Sequence, residues 1–206
     1  MKCAFCEKKD CYTGKDCVGM ADKIRSRYEN DPATLKSMKM STAIESEFYM
    51  KKTRLEETIE YAKRMGYKSL GIAFCVGMEK EAKLVHEILS QEFTVHSVCC
   101  KVCGINKNDL DLKRLHGEEG IEAMCNPLGQ AEMLNRAETD MNIILGLCMG
   151  HDILFTNNSR APVTTFAVKD RVLGHNPLAA IYSGYYLKNR FGLETELPMR
   201  KKKKKE

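Results

Sequence analysis

Ser69-Leu70-Gly71-Ile72-Ala73-Phe74-Cys75-Val76-Gly77-Met78-Glu79 decides the fold: a short apolar run, a cysteine, a glycine two residues on, and an acidic residue two beyond that. A brief continuous apolar run bounded by a turn signal reads as a strand buried on both faces. The residues after it change period, with Met78, Ala82, Val85 and Ile88 or Leu89 marking the inner side of a helix over 78–91. The same grammar returns at Leu145-Gly146-Leu147-Cys148-Met149-Gly150-His151-Asp152, so Cys-x-Gly-x-acidic stands twice where a strand gives way to a helix. A glycine there lets the backbone turn sharply and bares N–H groups at a helix start, a setting that favours thiolate over thiol. A free cysteine after a buried strand also serves as a small apolar core residue, and the recurrence is what argues for more.

Working outward, strand patterns at 69–74, 93–99, 142–147 and 163–168 alternate with helical patterns at 78–91, 128–138, 150–158 and 178–191. Repeated βα units with right-handed crossovers predict an α/β protein: a Rossmann-like, mostly parallel sheet of about four to five strands with helices on both faces. Residues 67–195 hold this domain, and 196–206 are a basic tail. Upstream, 18–30 make a first short helix stopped near Asn30-Asp31-Pro32. Residues 33–65 carry a helical stripe (Ile44, Phe48, Leu55, Ile59, Ala62) that is interrupted near Ser41-Thr42, which predicts two helices or one bent one packed on the core as part of a helical segment 18–66.

In a parallel sheet every strand ends on one edge, and ligands bind there, where the strand order switches. That rule gathers scattered residues. Cys75 ends the first strand, Cys99 and Cys100 end the second with Cys103 beyond, and Cys148 ends the third with His151 one helical turn on. Lys169, Asp170, Arg171 and His175 follow the fourth. Cys125-Asn126-Pro127-Leu128 and His175-Asn176-Pro177-Leu178 form a second echo, each reading as an N-cap Asn with Pro at the first helical position. Together the two echoes are consistent with an internal duplication. Adjacent cysteines do not both face one metal, so one of Cys99 and Cys100 is expected to pack into the sheet.

Residues 1–17 carry Cys3-x2-Cys6-x4-Cys11-x5-Cys17 among polar residues that cannot build a core. Four thiolates at close spacing complete a zinc site or hold an iron-sulfur cluster, and either would order such an arm. The spacing matches neither a two-knuckle zinc ribbon nor a bacterial ferredoxin, so the metal stays open. At the sheet edge, Cys75, Cys103, Cys125 and Cys148 are candidate ligands for zinc or an iron-sulfur cluster, a four-iron cubane included, with His151 or His175 able to complete a zinc set. The metal-free alternative is thiol redox chemistry, with Cys75 and Cys148 as catalytic thiols and Cys125 likewise activated at a helix start. Asp170 or His175 would carry the proton, Lys169 and Arg171 would hold an anionic substrate, and Gly77 and Gly150 would let it approach the backbone. A non-catalytic reading, in which zinc in the arm stabilises an interaction protein, uses the same residues as packing.

The chain has 206 residues, 10 cysteines and a net charge of +5. Lys201 to Lys205 supply that whole excess, so the body is close to neutral and nucleic-acid binding is not expected. No apolar run approaches the length of a membrane span. Met1-Lys2-Cys3 opens directly into a polar cysteine cluster rather than a signal peptide, which predicts a cytoplasmic protein whose cysteines serve metal or redox chemistry with a small molecule or redox partner.

Nearly the whole chain resembles a family of cysteine-rich, predicted metal-binding proteins of anaerobic bacteria and archaea. The resemblance rests on Cys3, Cys6, Cys11 and Cys17, on Phe74-Cys75-Val76-Gly77, on Cys125-Asn126-Pro127 followed by Gln130-Ala131-Glu132, on Gly146 to Asp152, and on Lys169-Asp170-Arg171 with His175-Asn176-Pro177. It implies metal binding at these cysteines and no particular reaction.

Overall fold

A computed structural model describes residues 1–117 and 119–194; the basic tail expected at 196–206 lies outside them. The chain divides into two compact units, Met1–Met65 and Gly66–Glu206.

The first unit holds two short 3-10 turns, at Cys3–Phe5 and Asp10–Thr13, and three helices: α1 (Ala21–Glu29), α2 (Pro32–Phe48) and α3 (Arg54–Met65). Asp31 caps α2 through Ala33 and Thr34 N–H groups, with Pro32 at the first helical position. The break expected near Ser41-Thr42 falls instead at 49–53, because α2 runs through both residues and stops at Phe48. Met50 takes φ +57°, and Thr53 and Glu56 then exchange hydrogen bonds (Glu56 Oε2 accepts from Thr53 N at 2.7 Å) to start α3. The two helices are tied by Ser37 Oγ to Tyr61 Oη at 2.7 Å and by Arg64 holding Glu47 in a fork, at 3.1 and 2.6 Å.

The second unit is the predicted α/β sheet, with four strands, all parallel: β1 (Ser69–Phe74), β2 (Thr94–Cys99), β3 (Met141–Leu145) and β4 (Val163–Ala167), ordered β2-β1-β3-β4. Helix α4 (Glu79–Leu89) joins β1 to β2, α5 (Pro127–Arg136) precedes β3, and α6 (His151–Asn158) joins β3 to β4. With right-handed crossovers, the move outward from β1 to β2 puts α4 on one face, and the return to β3 and onward to β4 puts α5 and α6 together on the other. The contacts agree, since α4 and α5 both lie on β1 and β2 while α5 packs on α6.

Side-chain alternation along β1 explains its composition. Ala73 and Cys75 join Ala131, Leu134, Ile144, Leu147 and Phe155 in the core on the α5/α6 face. Gly71 shares that face because α5 comes close: a Cβ there would run into Asn142 Oδ1 and Leu134. The helix expected at 178–191 is two, α7 (Leu178–Tyr182) and α8 (Gly184–Phe191), parted at Ser183, which takes an extended conformation (φ −100°, ψ 116°).

The order β2-β1-β3-β4 places the switch between β1 and β3. Those are the two strands that end in the Cys-x-Gly stretches.

Candidate functional site

Where β1 and β2 end, their hydrogen-bond ladder runs on and then changes character. Phe74 pairs with Cys99, so Cys75 and Cys100 leave the two strands in register. Cys100 N donates to Phe74 O at 2.9 Å, while on the other side of β1 Cys75 N donates to Leu145 O of β3 at 3.1 Å. The next donor, Val76 N, meets no carbonyl; it donates to Cys100 Sγ at 3.3 Å. Asn126 N donates to Cys100 O at 2.8 Å, which brings Cys125 alongside Cys100, near enough for each thiol to shift the other's pKa. Asn126 then caps α5 through Gly129 N at 2.8 Å, as the sequence predicts.

The pair shares its protons unequally. The neighbouring Cys100 thiol, the charges of Lys101 and His151, and a contact from Lys101 Nζ at 3.7 Å hold Cys125 down at about 5. Cys100, 2 % exposed, is pushed up by Cys125 and by burial. Both directions favour the negative charge on Cys125, beside Lys101, over the buried Cys100.

From β3, Cys148 reaches the same place. Its Sγ accepts from Arg171 Nη2 at 3.0 Å, and the guanidinium, whose pKa is raised chiefly by Cys148, also feels Cys75 and Cys125. Cys75, Cys125, Cys148 and His151 line one cavity of about 750 Å³ together with Gly77, Lys101, Lys169 and Arg171. Its remaining wall comes from the chain between β2 and α5. That segment is closed by an antiparallel bridge, Asn106 to Ala123, and by Glu122, which accepts from Lys107 Nζ at 2.6 Å and from the N–H groups of Leu115 and His116 at 2.9 and 3.1 Å. The Lys107 bond, with the backbone donors, lowers Glu122 to about 2.

The expected rim residues divide. Cys75, Cys125, Cys148, Gly77, Lys169 and Arg171 converge on the cavity, whereas Cys103, Gly150, Asp170 and His175 do not line it. Cys103 is exposed in a turn at φ +71°. Asp170 Oδ1 accepts from Val172 and Leu173 N–H groups, and His175 Nδ1 accepts from Asp170 N at 3.1 Å, so these two side chains close their own turn. The two echoes are not structural repeats. A 3-10 turn (Val76–Met78) intervenes before α4, but Gly150, at φ +85°, caps α6 directly. Asn176 does not cap α7, because that turn delivers the chain to Pro177 as the cap residue.

Sequence reasoning passed over Lys101 and left open whether Cys99 or Cys100 serves the site. The signal was there: Cys100 stands one residue past β2 as Cys75 stands one past β1.

Cys3, Cys6, Cys11 and Cys17 are all exposed. Among the described residues no group of three or more His, Cys, Asp or Glu side chains is arranged to hold a metal ion. No helix among the described residues is long and apolar enough to cross a membrane.

No solved structure matches the chain. An uncharacterised protein of Methanocaldococcus jannaschii, MJ0455, is 58 % identical over 189 residues, covering 91 % of this chain and 97 % of its own. A family model described as "Protein of unknown function (DUF1847)" matches residues 11–166, a span that takes in Cys75, Cys100, Cys125 and Cys148 and stops short of Arg171. The chain belongs to the DUF1847 family.

Proposed function

We propose that the cavity at the β1/β3 switch is a thiol-disulfide exchange site in which Cys125 is the attacking thiolate and Cys100 the resolving thiol. The observation that carries this reading is the Asn126 N–Cys100 O bond at 2.8 Å, which sets Cys125 beside Cys100 at the wall of a cavity of about 750 Å³, with Lys101 Nζ 3.7 Å from the Cys125 sulfur. The balance is that of ordinary exchange. The Cys125 sulfur attacks one sulfur of a low-molecular-weight disulfide, forming a mixed disulfide and releasing the first thiolate. Cys100 then gives up its proton to that leaving thiolate and attacks Cys125 Sγ, releasing the second. Two substrate thiols form and one protein disulfide remains, so the substrate is reduced by two electrons and the protein oxidised by two. Lys101, bonded to Ala123 O at 2.6 Å and thereby held beside Cys125, stabilises the attacking thiolate.

Anaerobic, metal-free protein mixed with a small disulfide should yield a Cys100–Cys125 linkage in peptide maps, together with two equivalents of released thiol. If the linkage forms elsewhere, or Cys100→Ala releases two equivalents as readily, this assignment is wrong.

A second reading keeps zinc or an iron-sulfur cluster, because Cys75, Cys100, Cys125 and Cys148 arrive from four separate segments within electrostatic reach of one another. A metal would have to draw these side chains from their present places. Metal analysis and an absorption spectrum of anaerobically purified protein decide it: metal lost from Cys125→Ala and Cys148→Ala, and kept in a variant lacking Cys3 and Cys6, would favour this reading over exchange.

A further inference from the structure

The cavity's charges are out of balance. Five cationic side chains line it, Lys101, Lys107, Lys113, Lys169 and Arg171, against one carboxylate, Glu122. Three cations are already engaged: Lys107 with Glu122, Lys101 with Ala123 O and Cys125, and Arg171 with Cys148. Lys113 and Lys169 have no ion-pair or hydrogen-bond partner for their ammonium groups among the described residues. They stand on different segments, Lys113 in the wall between β2 and α5 and Lys169 after β4, and both face the same space. Lys169 Nζ lies 3.7 Å from where a Cβ of Gly77 would be, and Cys75 Sγ is 4.0 Å from that same point. Cations lining a concave space with low-dielectric walls concentrate anions there.

The rest of the lining constrains the body of the ligand. Leu112, Leu115 and Ile121 border the cavity while being 43 %, 76 % and 83 % exposed, an apolar border that the protein itself leaves uncovered. A volume of about 750 Å³ suits a small molecule rather than a peptide chain.

We infer that the substrate is a small anionic disulfide, with an aliphatic body against Leu112, Leu115 and Ile121 and its negative groups on Lys113 and Lys169. This rests on the exchange reading for its sulfur chemistry. Its charge and shape rest on the lining alone.

The test compares two aliphatic disulfides of similar length and opposite charge, dithiodipropionate and cystamine, each rate normalised to that with a free small thiol. Reduced full-length protein should prefer the dianion by about tenfold to a hundredfold at low ionic strength, and the preference should collapse in about 0.5 M salt, where screening reaches only a few ångströms. Lys113→Glu and Lys169→Glu should each move the ratio toward cystamine. A second arm uses thiodipropionate, which carries the same charges on a thioether and cannot exchange; it should protect Cys125 from iodoacetamide in a salt-dependent manner. Equal normalised rates with no protection overturn the anionic substrate while leaving the exchange reading intact. Protection without exchange overturns the exchange reading and upholds the anionic ligand.

Discussion

The side-chain amide of Gln130 donates to the carbonyl of Phe74 across 3.1 Å, and the same nitrogen reaches the carbonyl of Val98 at 2.8 Å. One fully buried side chain on α5 thus clamps the ends of β1 and β2, just before Cys75 and Cys100 leave them. Its own Oε1 is buried without a hydrogen-bond partner among the described residues, so the clamp is kept despite a desolvated carbonyl. Gln130→Leu removes two bonds and also removes that carbonyl, for a net loss of about 1–2 kcal/mol in urea unfolding. Cys100–Cys125 disulfide formation should slow more than global stability accounts for. A stability loss without slower exchange would make Gln130 a core residue only.

Cys125, held down at about 5 by Cys100 and by Lys101 and His151, should alkylate with iodoacetamide at a rate that is already level by neutral pH. An ordinary thiol rises through about 8.5. Peptide mapping at a series of pH values reads this directly, and a Cys125 profile still climbing above about pH 8 would count against the arrangement.

The linkage has a definite sign. A lowered folded-state pKa stabilises the fold fully above the unfolded value, about 8.5, and that stabilisation is lost as pH falls toward the Cys125 value of about 5. Cys100, shifted the other way, stabilises the fold below about 8.5, and its share is lost as pH rises. The difference in unfolding free energy between the parent and a Cys100→Ala, Cys125→Ala double variant should therefore peak near pH 8.5 and decline on both sides, roughly at the ordinary thiol pKa.

Lys101→Met should raise the Cys125 pKa by about one unit, since it removes both a charge and a donor beside the sulfur. The same alkylation profile measures it. No change would assign the depression to Cys100 and His151 alone.

Glu122→Gln should free the wall between β2 and α5. The carboxylate gathers Lys107 and the N–H groups of Leu115 and His116, and a neutral amide keeps neither the ion pair nor two strong acceptors. Amide hydrogen exchange should show faster exchange at Leu115 and His116, with β1 and β3 unchanged.

The sheet was legible because its evidence is local. Ser69 to Phe74 is continuously apolar, the helices after it change period, and Asn126-Pro127 states its cap in two residues. Two kinds of feature were harder to read. Thr53 and Glu56 carry a capping signal that a longer apolar stripe overrode, which moved the helix break at least seven residues early in the reading. The rule that adjacent cysteines diverge left open which of Cys99 and Cys100 packs into the sheet. They do diverge: Cys100 is buried within the core cluster and its sulfur accepts from Val76 N, while Cys99 is half-buried against the cluster. No sequence pattern announces the clip at Glu122, since its partners lie 6 to 15 residues away in irregular chain. Tertiary hydrogen bonds of that kind have no period.

Cys100 Sγ occupies the seat a strand carbonyl would take, accepting from Val76 N where the β1–β2 ladder ends. Whatever changes that sulfur therefore changes a rung of the sheet. Folding and oxidation of the Cys100–Cys125 pair form a closed thermodynamic box: the amount by which the disulfide strengthens or weakens the fold must equal, in free energy, the shift in the pair's reduction potential on folding. By that equality about 30 mV corresponds to about 1.4 kcal/mol. For the proposed exchange, the rung between Val76 N and the Cys100 sulfur is thus a lever on the pair's electron affinity.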